Sequence, residues 1–207
     1  MAVLRSCLAA LFVALAAAAS ARAGEAGGPG VAGGADDWRA GAYSFSDELG
    51  GFRILSVAGS GTREDPAVIT QEFYSASPVT LVTRATAPIR PLAYGEGVVN
   101  GFLCLKIEAV NASGLAWSEF EFELQQTLRV PSIFGDGLSF DQRRQDGDTI
   151  GSESFARFER DYEPYDRLLF TRGFIDPAMK ASFRFLVSDF TPEEVFYLVQ
   201  DPRVPSS

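Results

Sequence analysis

Glu119, Glu121 and Glu123 stand at alternate positions, and they are the residues whose type and spacing most invite a chemical reading. Paired carboxylates hydrolyse glycosidic bonds, one as general acid and the other as base or nucleophile. Such a pair must face across a cleft, whereas alternate positions of one strand share a single face. Phe120, Phe122 and Leu124 fill the gaps, so the row is expected to be the wet side of an amphipathic strand. Trp117 opens the same segment, nominally on the acidic side, and is the candidate ligand-binding residue. An exposed indole can stack on a sugar ring. The competing expectation is burial, since tryptophan is highly buried on average, reached through a bulge at the preceding 111–114 turn.

Other chemistry is thinner. Segment 134–148 carries Asp136, Asp141, Asp146 and Asp148 among glycines. Oxygen-rich loops can hold Ca²⁺, the only cofactor worth weighing here. The spacing is not that of an EF-hand and Arg143 and Arg144 interrupt it, so an ordinary solvated loop is expected. Residues 59–66 (GSGTREDP) lack the Gly-Lys-Ser/Thr ending of a phosphate cradle and are expected to be a turn before a strand. Cys104, between Leu103 and Leu105, is expected to be inert packing. Lys106 and Lys180 are the only lysines, and both fall on expected wet faces. The chain has no histidine, which excludes Ser-His-Asp and Cys-His catalysis and histidine-ligated metals. No catalytic or metal-binding residue is assigned, and an enzyme is not the expectation.

The elements that would position these residues read as strands. Short apolar runs bounded by Gly, Pro, Asn or Asp occur at 52–57, 67–74, 78–85, 98–110, 117–124, 153–159, 167–175, 180–188 and 194–199. Alternation is clearest where Leu103, Leu105, Ile107 and Ala109 oppose Lys106 and Glu108, and where Ala181, Phe183, Phe185 and Val187 oppose Lys180, Ser182 and Arg184. One wet and one dry face per strand is the mark of antiparallel sheets stacked face to face. The expected fold is all-β, an antiparallel β-sandwich, Ig-like or jelly-roll-like, of roughly eight to ten strands. The stretch Thr191, Pro192, Glu193, Glu194 has the form of a helix cap, but Val195 to Val199 favour a strand. Thirteen of the seventeen phenylalanines lie beyond residue 100, so the C-terminal half should supply most of the core. Residues 86–97 are expected to be a crossover loop inside one domain spanning 38–202, with 203–207 as a tail.

Residues 1–23 have the form of a signal peptide: Arg5, an apolar run from Leu8 to Ala19, and Ala21-Arg22-Ala23 as a cleavage site. Residues 24–37 are Gly/Ala-rich and read as a flexible lead. Cleavage would leave 16 basic and 27 acidic side chains, a net charge of −11. That field disfavours nucleic acid and anionic lipid as partners. It would also leave Cys104 as the sole cysteine, without the disulfides common in eukaryotic secreted domains. A periplasmic or secreted bacterial protein, with no membrane span after cleavage, fits best. Asn111-Ala-Ser113 matches a glycosylation sequon that has no expected use in a bacterium.

The stretch from Val110 to Trp117 (VNASGLAW), followed by Phe120 to Leu124 (FEFEL), resembles a segment of uncharacterised exported bacterial β-sandwich proteins. In that pattern Asn-x-Ser/Thr-Gly before a Trp makes the hairpin that leads to an aromatic strand. Gly59 to Thr62 with Asp65-Pro66 is similar to the same group. The resemblance implies export and a sandwich, and brings no catalytic residues. Many such proteins end in a sorting helix; the closing Asp201 to Ser207 does not have that form, which weighs against surface anchoring. The functional expectation is a non-enzymatic exported module acting on a protein or glycan partner by binding or structural contacts. The alternatives are a carbohydrate-binding module and, behind it, a carboxylate-based glycan hydrolase.

Overall fold

Residues that alternate in the sequence become, in the computed structural model, the two faces of paired strands. The structure describes residues 38–95, 97–141 and 149–205. The expected leader (1–23) and lead (24–37) lie outside the described residues.

A seven-stranded sheet runs in the order β1 (Arg39–Ala40), β2 (Tyr43–Ser46), β5 (Val79–Ala85), β13 (Val195–Arg203), β7 (Glu119–Gln125), β11 (Arg167–Gly173) and β10 (Phe155–Asp161). A second sheet runs β3 (Phe52–Ala58), β4 (Ala67–Phe73), β6 (Phe102–Asn111), β12 (Lys180–Asp189) and β8 (Leu138–Phe140), with β9 (Gly151–Ser152) also paired to β12. All nine expected strands form. Four short ones, β1, β2, β8 and β9, bring the total among the described residues to thirteen. The Thr191–Glu194 stretch is no helix, and β13 follows it.

The pairing is antiparallel except between β4 and β6, which run parallel with Ala67 opposite Leu105 and Phe73 opposite Asn111. The expected antiparallel β-sandwich is thus present, with this one parallel pair inside it. After β4 the chain spends one strand, β5, in the other sheet, and the 86–101 connection then returns it to the second sheet at the end where β4 began. An even number of crossings sends β6 the same way as β4. Residues 86–97 are thus a crossover between sheets. No helix among the described residues is long and apolar enough to cross a membrane.

The core lies between the sheets and is aromatic. Phe120 and Phe122 of β7 meet Phe183 of β12 at ring-centroid distances of 4.6 and 5.1 Å, and Phe122 meets Phe185 at 4.9 Å. Phe73 of β4 reaches Phe120 at 5.8 Å. Leu103, Leu105, Ile107 and Ala109 of β6 are all buried, as are Ala181, Phe183, Phe185 and Val187 of β12. Burying such side chains contributes roughly 1.5–3 kcal/mol each. One polar pair crosses the core. Gln71 and Gln200 are fully buried, and each amide donates to the other's carbonyl, at 3.2 and 2.7 Å.

Candidate functional site

The acidic row lies on the outward side of β7, as its alternation requires, with Arg167 of β11 opposite Glu123, Arg203 of β13 opposite Glu119, and Asp201 of β13 opposite Glu121. Arg203 Nη2 is 2.9 Å from Glu121 Oε1, and its Nε donates to Asp201 at 3.2 Å. Arg167 donates to Asp161 through Nε and Nη2, at 2.9 and 2.8 Å, and its Nη1 is 3.9 Å from Glu121 Oε2. Glu123 accepts a hydrogen bond from Gln125 at 2.7 Å. Burial pushes the Glu121 carboxyl above its usual range, against the pull of Arg203 and Arg167. The result is a lattice of three carboxylates linked by two guanidinium groups, Asp161–Arg167–Glu121–Arg203–Asp201, spread over one sheet face. It pairs carboxylates with guanidinium groups along one face and does not set two of them across a groove.

Trp117 is fully buried. Its ring meets Phe73 and Phe120, both at 5.6 Å, and its Nε1–H donates to Ser113 Oγ at 3.2 Å. The sugar platform offered by the sequence therefore does not form at Trp117; burial, the competing expectation, does. Trp117 bridges to Ile175 before the β7 ladder begins, so strict alternation does not govern it.

The turn that precedes it is built on Asn111, whose side chain is also buried. Its Nδ2 donates to Leu115 O at 2.7 Å and Ile175 O at 3.1 Å. Its Oδ1 accepts from Ser113 N at 3.1 Å and Ser113 Oγ at 2.6 Å. Its backbone exchanges bonds with Met179 O and Ala178 N. The sequon asparagine is a structural hub that ties the 112–118 loop to the 174–179 loop, with its amide already engaged. Leu115, Phe174 and Met179 project from these loops with 54–59% of their surface exposed.

At the other end of the sandwich, Asp136 and Asp141 are occupied internally. Asp136 accepts from the backbone N–H groups of Ile133 and Leu138, and Asp141 from Thr149 Oγ1. Asp146 and Asp148 lie outside the described residues. Among the described residues no group of three or more acidic, cysteine or histidine side chains is arranged to hold a metal ion. Residues 59–66 form a turn in which the N–H groups of Ser60, Gly61 and Thr62 all converge on Asp65 O. Cys104 is half-buried on the outer side of β6, not within the apolar layer made by Leu103 and Leu105. Burial raises its thiol pKa and so disfavours the thiolate. Lys106 and Lys180 are on the wet side, both beside Glu108, at 3.5 and 2.7 Å.

Sequence reasoning missed Asp166, in the segment between β10 and β11. It is fully buried, its Oδ1 accepts from Ser139 Oγ of β8 at 2.7 Å, and its Oδ2 is enclosed without a hydrogen-bond partner. A signal was there: Asp166 shares the phase of Leu168 and Phe170, the inward residues of β11. A separate groove of about 670 Å³ lies between β5 and the start of β13, lined in part by Arg84, Pro88, Ile89 and Glu194. No protein-family model matches the chain, and no curated protein matches it in sequence.

Proposed function

We propose that the protein is an exported β-sandwich module, periplasmic or secreted, that works by contact with a protein partner and not by catalysis. The observation that carries this reading is the loop end organised by Asn111. There Leu115, Phe174 and Met179 are held out on two loops that share one buried anchor. Loops positioned by a rigid scaffold are where recognition residues concentrate, and aromatic and Met side chains are enriched at interfaces. The sheet face beside them is occupied by ion pairs made within the face, which are worth little as an affinity source. The leader-like residues 1–23 support export.

Crosslinking of the full chain in its source cells tests this, with a triple variant Leu115→Ser, Phe174→Ser, Met179→Ser as comparison. A partner joined to the wild type and lost from the variant is the expected result. No partner, or equal yield from both, overturns it.

A further inference from the structure

We propose that Asp166 is a protonation latch: as a neutral acid it stays buried where the segment entering β11 packs on β8 and the β7–β8 loop, and its ionisation makes that burial costly and loosens this end of the sandwich. The geometry is that of a carboxyl built to be neutral. Its side chain is fully buried, one oxygen accepts a single hydroxyl bond from Ser139, and the other has no partner. An ionised carboxylate needs several donors to offset its lost hydration.

The charged groups around it do not supply them. Asp136 from the β7–β8 loop and Glu163 from its own segment face it with like charge. Arg160 of β10 is the cation that faces it, and that guanidinium donates to Phe140 O and Asp141 O at 3.3 and 3.2 Å. Tyr162 donates to the same two carbonyls, and β12 contributes Ser188, whose hydroxyl donates to Ser139 O. Burial pushes the Asp166 carboxyl up to about 7, opposed by the Ser139 hydrogen bond, reinforced by Asp136 and Glu163, and opposed by Arg160.

What the latch holds is a backbone relay. Asp166 N–H donates to Ser132 O at 2.9 Å, Ser132 N–H to Leu124 O at 2.8 Å, and Leu124 N–H to Asp166 O at 3.2 Å. These bonds fasten the β10–β11 segment and the β7–β8 loop to the end of β7. The sign of the response follows from linkage. The folded carboxyl holds its proton more tightly than the ordinary value of 3.8, so its contribution to stability is complete below about pH 4. It weakens as pH rises and is lost once pH passes the folded value near 7. This inference stands apart from the partner-binding reading, because it concerns the opposite end of the sandwich and its readout needs no partner.

Hydrogen exchange of the full chain, corrected for base catalysis, tests it at the amides of Leu124, Ser132 and Asp166. Protection should fall by up to about tenfold per pH unit between about pH 4 and 7 in the wild type, flatten above that, and stay level throughout in Asp166→Asn, which keeps the shape of the neutral acid. Ser139→Ala is the second variant: removing a bond that favours the ionised form should move the midpoint to higher pH. Infrared titration of the wild type should show a neutral carboxyl surviving to about pH 7, whatever the variants do. Level protection in the wild type, an identical profile in Asp166→Asn, an unmoved midpoint in Ser139→Ala, or no such carboxyl would each overturn the latch.

Discussion

Replacing Asn111 should cost the protein a large part of its stability, because one side chain closes four hydrogen bonds at the meeting of two loops. Asn111→Ala removes two donors, to Leu115 O and Ile175 O, and one acceptor shared by the N–H and hydroxyl of Ser113. Both carbonyls still find a donor: the Ser113 hydroxyl, freed from Asn111 Oδ1, turns to Leu115 O at 3.2 Å, and Trp117 N–H already serves Ile175 O. The cost is therefore that of lost bonds and not of fully orphaned groups. At about 0.5–1.5 kcal/mol per bond, with three of the four only partly buried, the expected loss is about 3 kcal/mol. Asn111→Asp sharpens the argument. It preserves shape but points carboxylate oxygens at two carbonyl oxygens, so at pH 7 it should be less stable than Asn111→Ala. Acidification should then recover part of the loss, because the protonated acid regains a donor. Urea unfolding followed by tryptophan fluorescence, at constant m-value, measures both. A loss below about 1 kcal/mol in Asn111→Ala, or Asn111→Asp at least as stable as Asn111→Ala at pH 7, would refute the hub.

Two further outcomes concern the core and one crossover. Gln71→Leu or Gln200→Leu alone should cost about 2 kcal/mol by stranding the opposing buried amide, while the double variant recovers most of it; additive losses would count against the inter-sheet amide pair. Gly101, at φ +89°, has Asp189 O where a Cβ would sit, so Gly101→Ala should lower Tm by about 4–8 °C in calorimetry, and a change within about 1 °C would contradict that packing.

Strands of seven residues or more are legible because they are long enough to show either an apolar run between turn residues or a clear alternation, as Phe120, Phe122 and Leu124 do against three glutamates. β1, β2, β8 and β9 are two to four residues long, too short to display a period, and β8 sits inside what reads as a polar loop. The parallel β4–β6 pair was not legible at all, since pairing depends on which sheet each intervening strand joins. Buried polar residues carry a further signal in their phase. Gln71 follows Ala67 and Ile69 in phase, Asn111 follows Ile107 and Ala109, Gln200 follows Phe196 and Leu198, and Asp189 follows Phe185 and Val187. All four are buried. A polar side chain in apolar phase announces a buried bond and not a break in the strand. Trp117 shows the converse: its nominal phase put it outside, and tertiary packing against Phe73 turned it in.

The place of β13 has a consequence for how the molecule comes into being. This strand, the last of the thirteen, is the middle plank between β5 and β7 and supplies both of their inner edges. Until residues 195–203 are in hand, the larger sheet is two unconnected pieces with open hydrogen-bonding rims. Folding must therefore wait for the most distant contacts and proceed late and all at once, the regime of slow, non-local β topologies. A chain shortened before residue 195 should behave as an aggregating polymer and not as a smaller version of the same protein.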